Sequence, residues 1–209
     1  MAASLHCNLA LLPSTVRRIA AVRCGPRDNR PPIMKGRILS TEAIQAIQSL
    51  KRAHRIDPAN LPTHILTRLI KADLTSAMHE LLRQDHWDIA AGVFSTLRSE
   101  HGADLSAYAE FAAALARNGL AEQIDSLVDE LEQDGGIRRG NGKAVLRLVK
   151  AVVGAGRRES TVRIYAMVKS SGCEMDEYLG RVFSRGLRRL GEVSLAKEVE
   201  SIYKGNFVN

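Results

Sequence analysis

The chain has 209 residues, is 45% hydrophobic but only 4% aromatic, and carries a formal net charge of +7. It is long enough to bury a core, and that core must come from Leu, Ile, Val and Ala. Such a composition suits close helix-on-helix packing better than a sandwich or barrel. No run approaches the roughly 18 consecutive apolar residues of a membrane span, so no membrane partner is expected.

The first 24 residues hold Arg17, Arg18 and Arg23, several Ser and Thr, and no acid; the first acid is Asp28. An acid-free leader with arginines and no uninterrupted apolar block reads as an organellar transit peptide over residues 1–24. Val22-Arg23-Cys24 before Gly25 is compatible with a plastid processing site. Residues 25–39, with Pro26, Pro31 and Pro32, read as a linker. Losing the leader removes three positive charges and no negative ones, which takes +7 to +4. Cys7 and Cys24 lie in or at the edge of that leader, so Cys173 is left without an internal disulfide partner, as suits a reducing compartment.

The first helix is expected over 41–54, with Ser40 as its N-cap and Ala43, Ile44, Ile47 and Leu50 as the buried stripe. Asp57-Pro58 and Pro62 bracket a turn. A short helix is expected over 64–71, and residues 40–72 read as a degenerate hairpin that caps one end of a repeat array. From residue 73 to 209 the sequence repeats. Turn anchors at Asp85, Gly119, Gly156 and Gly191 are 34, 37 and 35 residues apart, each followed by an apolar stripe such as Ile124, Leu127, Val128 and Leu131. A fixed period in this range specifies stacked helical hairpins, because one hairpin cannot bury its apolar face alone. The expected fold is all-α, a right-handed α-solenoid. Its first helices are expected near 74–84, 106–118, 143–154 and 177–190, and its second helices near 87–99, 120–132, 158–170 and 192–204.

Charge separates the two helix types. The first helices carry nine cations and three acids, whereas the second helices carry six cations and ten acids. Residues 135–158 hold seven Lys or Arg and no acid. All first helices of such a stack line one surface, so that surface should be basic and fit a polyanion. Lys143, Arg147, Lys150, Arg181, Arg185 and Arg188 are the candidate phosphate-binding residues.

Tyr108, Leu115, Gly119, Leu127, Val128 and Leu131 resemble the pentatricopeptide repeat, and Gly102-Ala103-Asp104 and Gly172 to Asp176 resemble its repeat endings. The resemblance covers about residues 74–209. The leader, the short length and the opening Lys35 to Lys51 are also similar to short plant members of that family. Those members are implicated in splicing group II introns in the chloroplast. The resemblance implies a non-enzymatic protein of the chloroplast stroma, with the mitochondrion as the alternative. It implies single-stranded RNA, intron segments above all, as ligand, other splicing factors as partners, and a homodimer formed on RNA. In the family each repeat reads a base with one residue of its first helix and one at its last position. Ten residues before each anchor stand Thr75, Ala109, Leu146 and Arg181; the last positions are Asp104, Asn141 and Asp176. Thr75 with Asp104 is a full polar pair and resembles the family's guanine-reading combination. Ala109 and Leu146 cannot bond a base, so direct sequence readout should be weak. Asp104, Asn141 and Asp176 also precede helices and fit equally as N-caps.

No constellation for catalysis or cofactor binding is found. The Gly135–Lys143 stretch superficially suggests a phosphate loop, but Ile137 replaces its first glycine and Ala144 its Ser or Thr, so it reads as an inter-repeat loop. His79-Glu80 lacks a second His at metalloprotease spacing, and the histidines are scattered, so no metal set appears. Trp87 opens a second helix as a packing residue. The competing function is a tetratricopeptide-like protein scaffold of an organelle, although no repeat carries that family's Trp-x-x-Leu-Gly-x-x-Tyr pattern.

Overall fold

A computed structural model describes residues 39–58 and 60–205. The leader at 1–24 and the linker up to residue 38 lie outside the described residues. In chain order the helices are α1 (Thr41–Ile56), α2 (Thr63–Leu66), α3 (Lys71–Arg83), α4 (Trp87–His101), α5 (Leu105–Arg117), α6 (Ala121–Gln133), α7 (Gly142–Gly154), α8 (Arg158–Ser170), α9 (Glu177–Arg189) and α10 (Val193–Gly205). There is no strand among the described residues.

The turn inside each hairpin explains the repeat. Asp85, Gly119, Gly156 and Gly191 have φ of 57°, 72°, 74° and 90°. The residue after each one donates its N–H five residues back: His86 to Leu81, Leu120 to Leu115, Arg157 to Val152 and Glu192 to Leu187, at 2.8–3.2 Å. This left-handed closure satisfies carbonyls that the helix end leaves without partners. It needs positive φ, which costs glycine nothing and costs Asp85 strain. Asp85→Gly is therefore expected to stabilise the protein by about 0.5–1 kcal/mol, seen as a thermal midpoint roughly 1–4 °C higher; no rise, or a fall, would show that Asp85 makes a contact of its own.

Ser40 caps α1, its Oγ accepting from the Ala43 N–H at 3.0 Å. The expected helix at 64–71 is corrected to the four residues of α2, and α3 starts earlier than expected, at Lys71. The reason is a tight turn in which the Leu69 N–H bonds the Leu66 carbonyl at 3.0 Å and the Thr67 hydroxyl donates to the His64 carbonyl at 3.3 Å. That turn buries both Leu66 and Leu69 and redirects the chain.

The first helices pack in an unbroken row, α1 on α3, α3 on α5, α5 on α7, α7 on α9. Along the second helices the substantial contact is between α6 and α8. The closely packed row is thus the inner side of the solenoid and the second helices its outer side. The contact of α5 with α7 is the most extensive of these, and Ala109 and Ala112 of α5 and Val145, Leu148, Val149 and Val152 of α7 are all buried. On α9, a Cβ at Gly186 would stand 2.7 Å from Val153 of α7, and one at Gly180 would overlap the Tyr203 ring of α10. Those two glycines let α9 sit between its neighbours.

The acids of the outer side are not a bare charged face. Arg157 pairs with Asp125, and Arg163 with Asp129 and Glu132. Arg158 pairs with Glu192, and Lys169 with Glu198 at 2.7 Å. Arg98 reaches Asp134 at 2.8 Å and Glu130 at 3.3 Å. Each bridge joins one repeat to the next.

Candidate nucleic-acid interface

Lys143, Arg147 and Lys150 lie four and three residues apart on α7 and so share a face. Tyr178, Arg181 and Arg185 do the same on α9. The two faces meet: the Lys150 ammonium donates to the Tyr178 hydroxyl at 2.8 Å and lies 4.8 Å from the centre of its ring. Tyr178 is 54% exposed. Lys150 thus stands beside an exposed aromatic ring where α7 meets α9, and the other cations lie one or two turns away along the same two helices. Sequence reasoning missed Tyr178. Its signal was there, since it falls off the buried stripe of Leu179, Phe183 and Leu187.

The cations on this surface are not equally free. Lys143 and Arg185 are exposed and form no ion pair among the described residues. Arg181 bridges to Glu177 one turn earlier in its own helix. Arg147 bridges to Glu110 of α5 at 2.5 Å, with 53% of its side chain exposed. Exposed pairs of this kind contribute little, so a phosphate can displace the acid. Arg188 is different: Glu200 of α10 holds it at 2.6 Å, which ties it to the second helix of its own hairpin.

Glu110 is pinned between two first-helix partners. His79 of α3 approaches it at 2.5 Å, and Arg147 takes its other oxygen. The hydrogen bond from His79, helped by Arg147, holds this carboxyl below its usual range despite its partial burial. It is ionised near neutral pH and cancels positive charge in the middle of the basic surface. Glu110→Gln is expected to strengthen binding of a single-stranded RNA by up to about fivefold near 0.1 M salt and to steepen the salt slope by about 0.7. Weaker binding instead would mean that Glu110 positions Arg147 for the ligand.

The base-reading positions divide into three kinds. The Thr75 hydroxyl donates to the Lys71 carbonyl at 2.8 Å within α3, which leaves its lone pairs available. Asp104 and Asp176 each cap a helix, accepting from the N–H of Ala107 at 2.9 Å and of Leu179 at 2.6 Å. One oxygen of each is thereby committed. Asn141 precedes α7 but makes no side-chain cap bond, and it is exposed. Lys71 donates to the Gly102 carbonyl at 2.8 Å and to the His101 carbonyl at 3.3 Å, and so joins the start of α3 to the loop that carries Asp104. Ala109 of α5 is fully buried, so that repeat offers no side chain to a base at this first-helix position.

No family model matches the chain. The chain is 52% identical over 190 residues to the Arabidopsis thaliana protein THYLAKOID ASSEMBLY 8, chloroplastic, covering 88% of this chain and 85% of that one. It is 30% identical over 104 residues to the Zea mays pentatricopeptide repeat-containing protein 10, chloroplastic, of which it spans only 13%. The crystal structure of THA8 in complex with Zm4 RNA superposes with a TM-score of 0.66 at 36% identity, covering 78% of this chain and 93% of that one. The architecture is that of a right-handed solenoid of pentatricopeptide type. With the left-handed turns, the helical hairpins and half of the residues shared over nearly the whole length, the chain belongs to the pentatricopeptide repeat family, alongside THYLAKOID ASSEMBLY 8.

Proposed function

We propose that this protein binds single-stranded RNA along its first-helix face and promotes the splicing of group II introns in the chloroplast stroma. The observation that carries the reading is the surface formed by α7 and α9. Lys143, Lys150 and Arg185 supply charge for phosphates, and exposed Tyr178 supplies a ring on which a base can stack. Arg147 and Arg181 join when the strand displaces Glu110 and Glu177. Arg188 contributes to the local field more than to direct contact, because Glu200 holds it.

Thr75 with Asp104 gives one position a preference for guanine, whose edge N–H groups suit the free carboxylate oxygen. Asn141 and Asp176 add little discrimination, since the matching first-helix residues are Ala109 and Leu146. Holding an intron segment in a folding-competent shape, and presenting it to other splicing factors, requires no bond-making by the protein. Four or five repeats offer a short track, so a second copy joining on RNA extends it. The relative's structure with RNA and the chloroplast names of both relatives support the reading. Sequencing RNA that co-purifies with the protein from isolated chloroplasts tests it: intron segments should be enriched, and a profile matching total chloroplast RNA would contradict it.

A further inference from the structure

Residues 134–141, between α6 and α7, form a longer link than 102–104 or 171–176, and they account for the 37-residue spacing between Gly119 and Gly156. The loop is built rather than slack. Gly135, Gly136 and Gly140 take φ of 94°, 68° and 97°, and the Gly136 N–H returns to the Leu131 carbonyl at 2.9 Å. Ile137 is 5% exposed and anchors the loop in the core. This construction leaves Arg138 and Arg139 exposed, with no ion pair on either among the described residues.

Arg138 lines a pocket of about 480 Å³ together with Lys71, Asp104 and Asn141, over a floor that includes Tyr108 and Asp134. The volume is in the range of small-molecule sites. The polar groups of the floor are already matched: the Tyr108 hydroxyl donates to Asp134 at 2.5 Å, and Arg98 donates to it at 2.8 Å. The groups still open are the Arg138 guanidinium, the Asn141 amide, the remaining N–H of Lys71 and the second oxygen of Asp104. Three donors, two of them cationic, call for an anion. The leftover carboxylate oxygen calls for a base-edge N–H on the same ligand, which a nucleotide has and inorganic phosphate lacks.

We propose that this pocket holds one nucleotide of the bound strand, with its phosphate between Arg138, Asn141 and Lys71, and with Arg139 meeting a neighbouring phosphate. The strand would then leave the first-helix face here and cross the edge of the solenoid. The inference rests on the RNA-binding reading above.

The test is a salt-dependent filter-binding titration of a single-stranded RNA against the full chain and its R138Q, R138Q/R139Q, R185Q and K197Q variants. Lys197 is an exposed cation of α10 with no ion pair among the described residues and serves as a charge control. R138Q should weaken binding about fivefold near 0.1 M salt and make the log–log slope shallower by about 0.7, the double variant by about twice that slope, and K197Q should bind as wild type. Inorganic phosphate at the same concentrations should not compete. Wild-type binding by R138Q and the double variant alongside a loss in R185Q would overturn the pocket while leaving the first-helix track intact. An equal loss in R138Q and K197Q would also overturn it, because net charge alone would then explain the effect. Failure of the wild-type chain to bind RNA would remove the underlying reading and the pocket with it.

Discussion

Replacing Phe183 with alanine should destabilise the protein by about 3–5 kcal/mol, the cost of emptying a large buried site that cannot fully collapse. Phe183 is fully buried, and its ring meets Tyr165 edge-on at 5.8 Å between centroids. It stands on α9 facing α8, and on the same helix Gly180 and Gly186 have already drawn Tyr203 of α10 and Val153 of α7 into close contact. The helices there have no slack to close over a cavity. In a solenoid each repeat contacts only its neighbours, so the loss should fall first on the terminal hairpin. Hydrogen exchange of Phe183→Ala is expected to show lost protection in α9 and α10 with α3 to α6 still protected. RNA affinity should fall too, since Tyr178, Arg181 and Arg185 ride on α9. A uniform loss of protection along the chain would show that the solenoid unfolds as one unit.

The second large effect concerns binding. Lys143, Lys150 and Arg185 are first-helix cations with no acidic partner among the described residues, and removing all three as glutamines should cost roughly fivefold per phosphate contact near 0.1 M salt. The triple variant is expected to bind single-stranded RNA on the order of 100-fold more weakly, with a salt slope shallower by about 2. Helical content and melting temperature should hardly change, because all three side chains are exposed. A loss of less than about threefold in the triple variant would mean that the strand lies elsewhere.

The hairpin frame was legible because the left-handed turn constrains residue choice: three of its four positions are glycine, and spacing alone located Asp85. The ladder on the outer side follows the same period. Asp129 and Arg163, like Arg158 and Glu192, stand 34 residues apart, one repeat along. Counting ten acids on the second helices did not reveal that the partners of those on α6 come one repeat later. Three features depend on geometry the period does not encode. Arg188 reaches Glu200 by folding back across its own hairpin. Asp104 and Asp176 satisfy the pattern of a helix cap and of a base-reading position alike, and only coordinates show one oxygen of each spent on the cap. The pocket beside Arg138 needs three segments, around residues 71, 104 and 138, brought to one place. The extent of α2 was also hidden, because Leu66 and Leu69 fit a helical stripe and a tight turn equally well.

Ultraviolet crosslinking of a single-stranded RNA to the full chain, followed by mass spectrometry of the attached peptides, reads out which side of the solenoid carries the strand. Crosslinks are expected on the peptides of α7 and α9, with Lys150 and Tyr178 foremost. Crosslinks concentrated instead on α8 and α10, around Lys169 and Lys197, would place the nucleic acid on the outer side of the solenoid and contradict binding along the first helices.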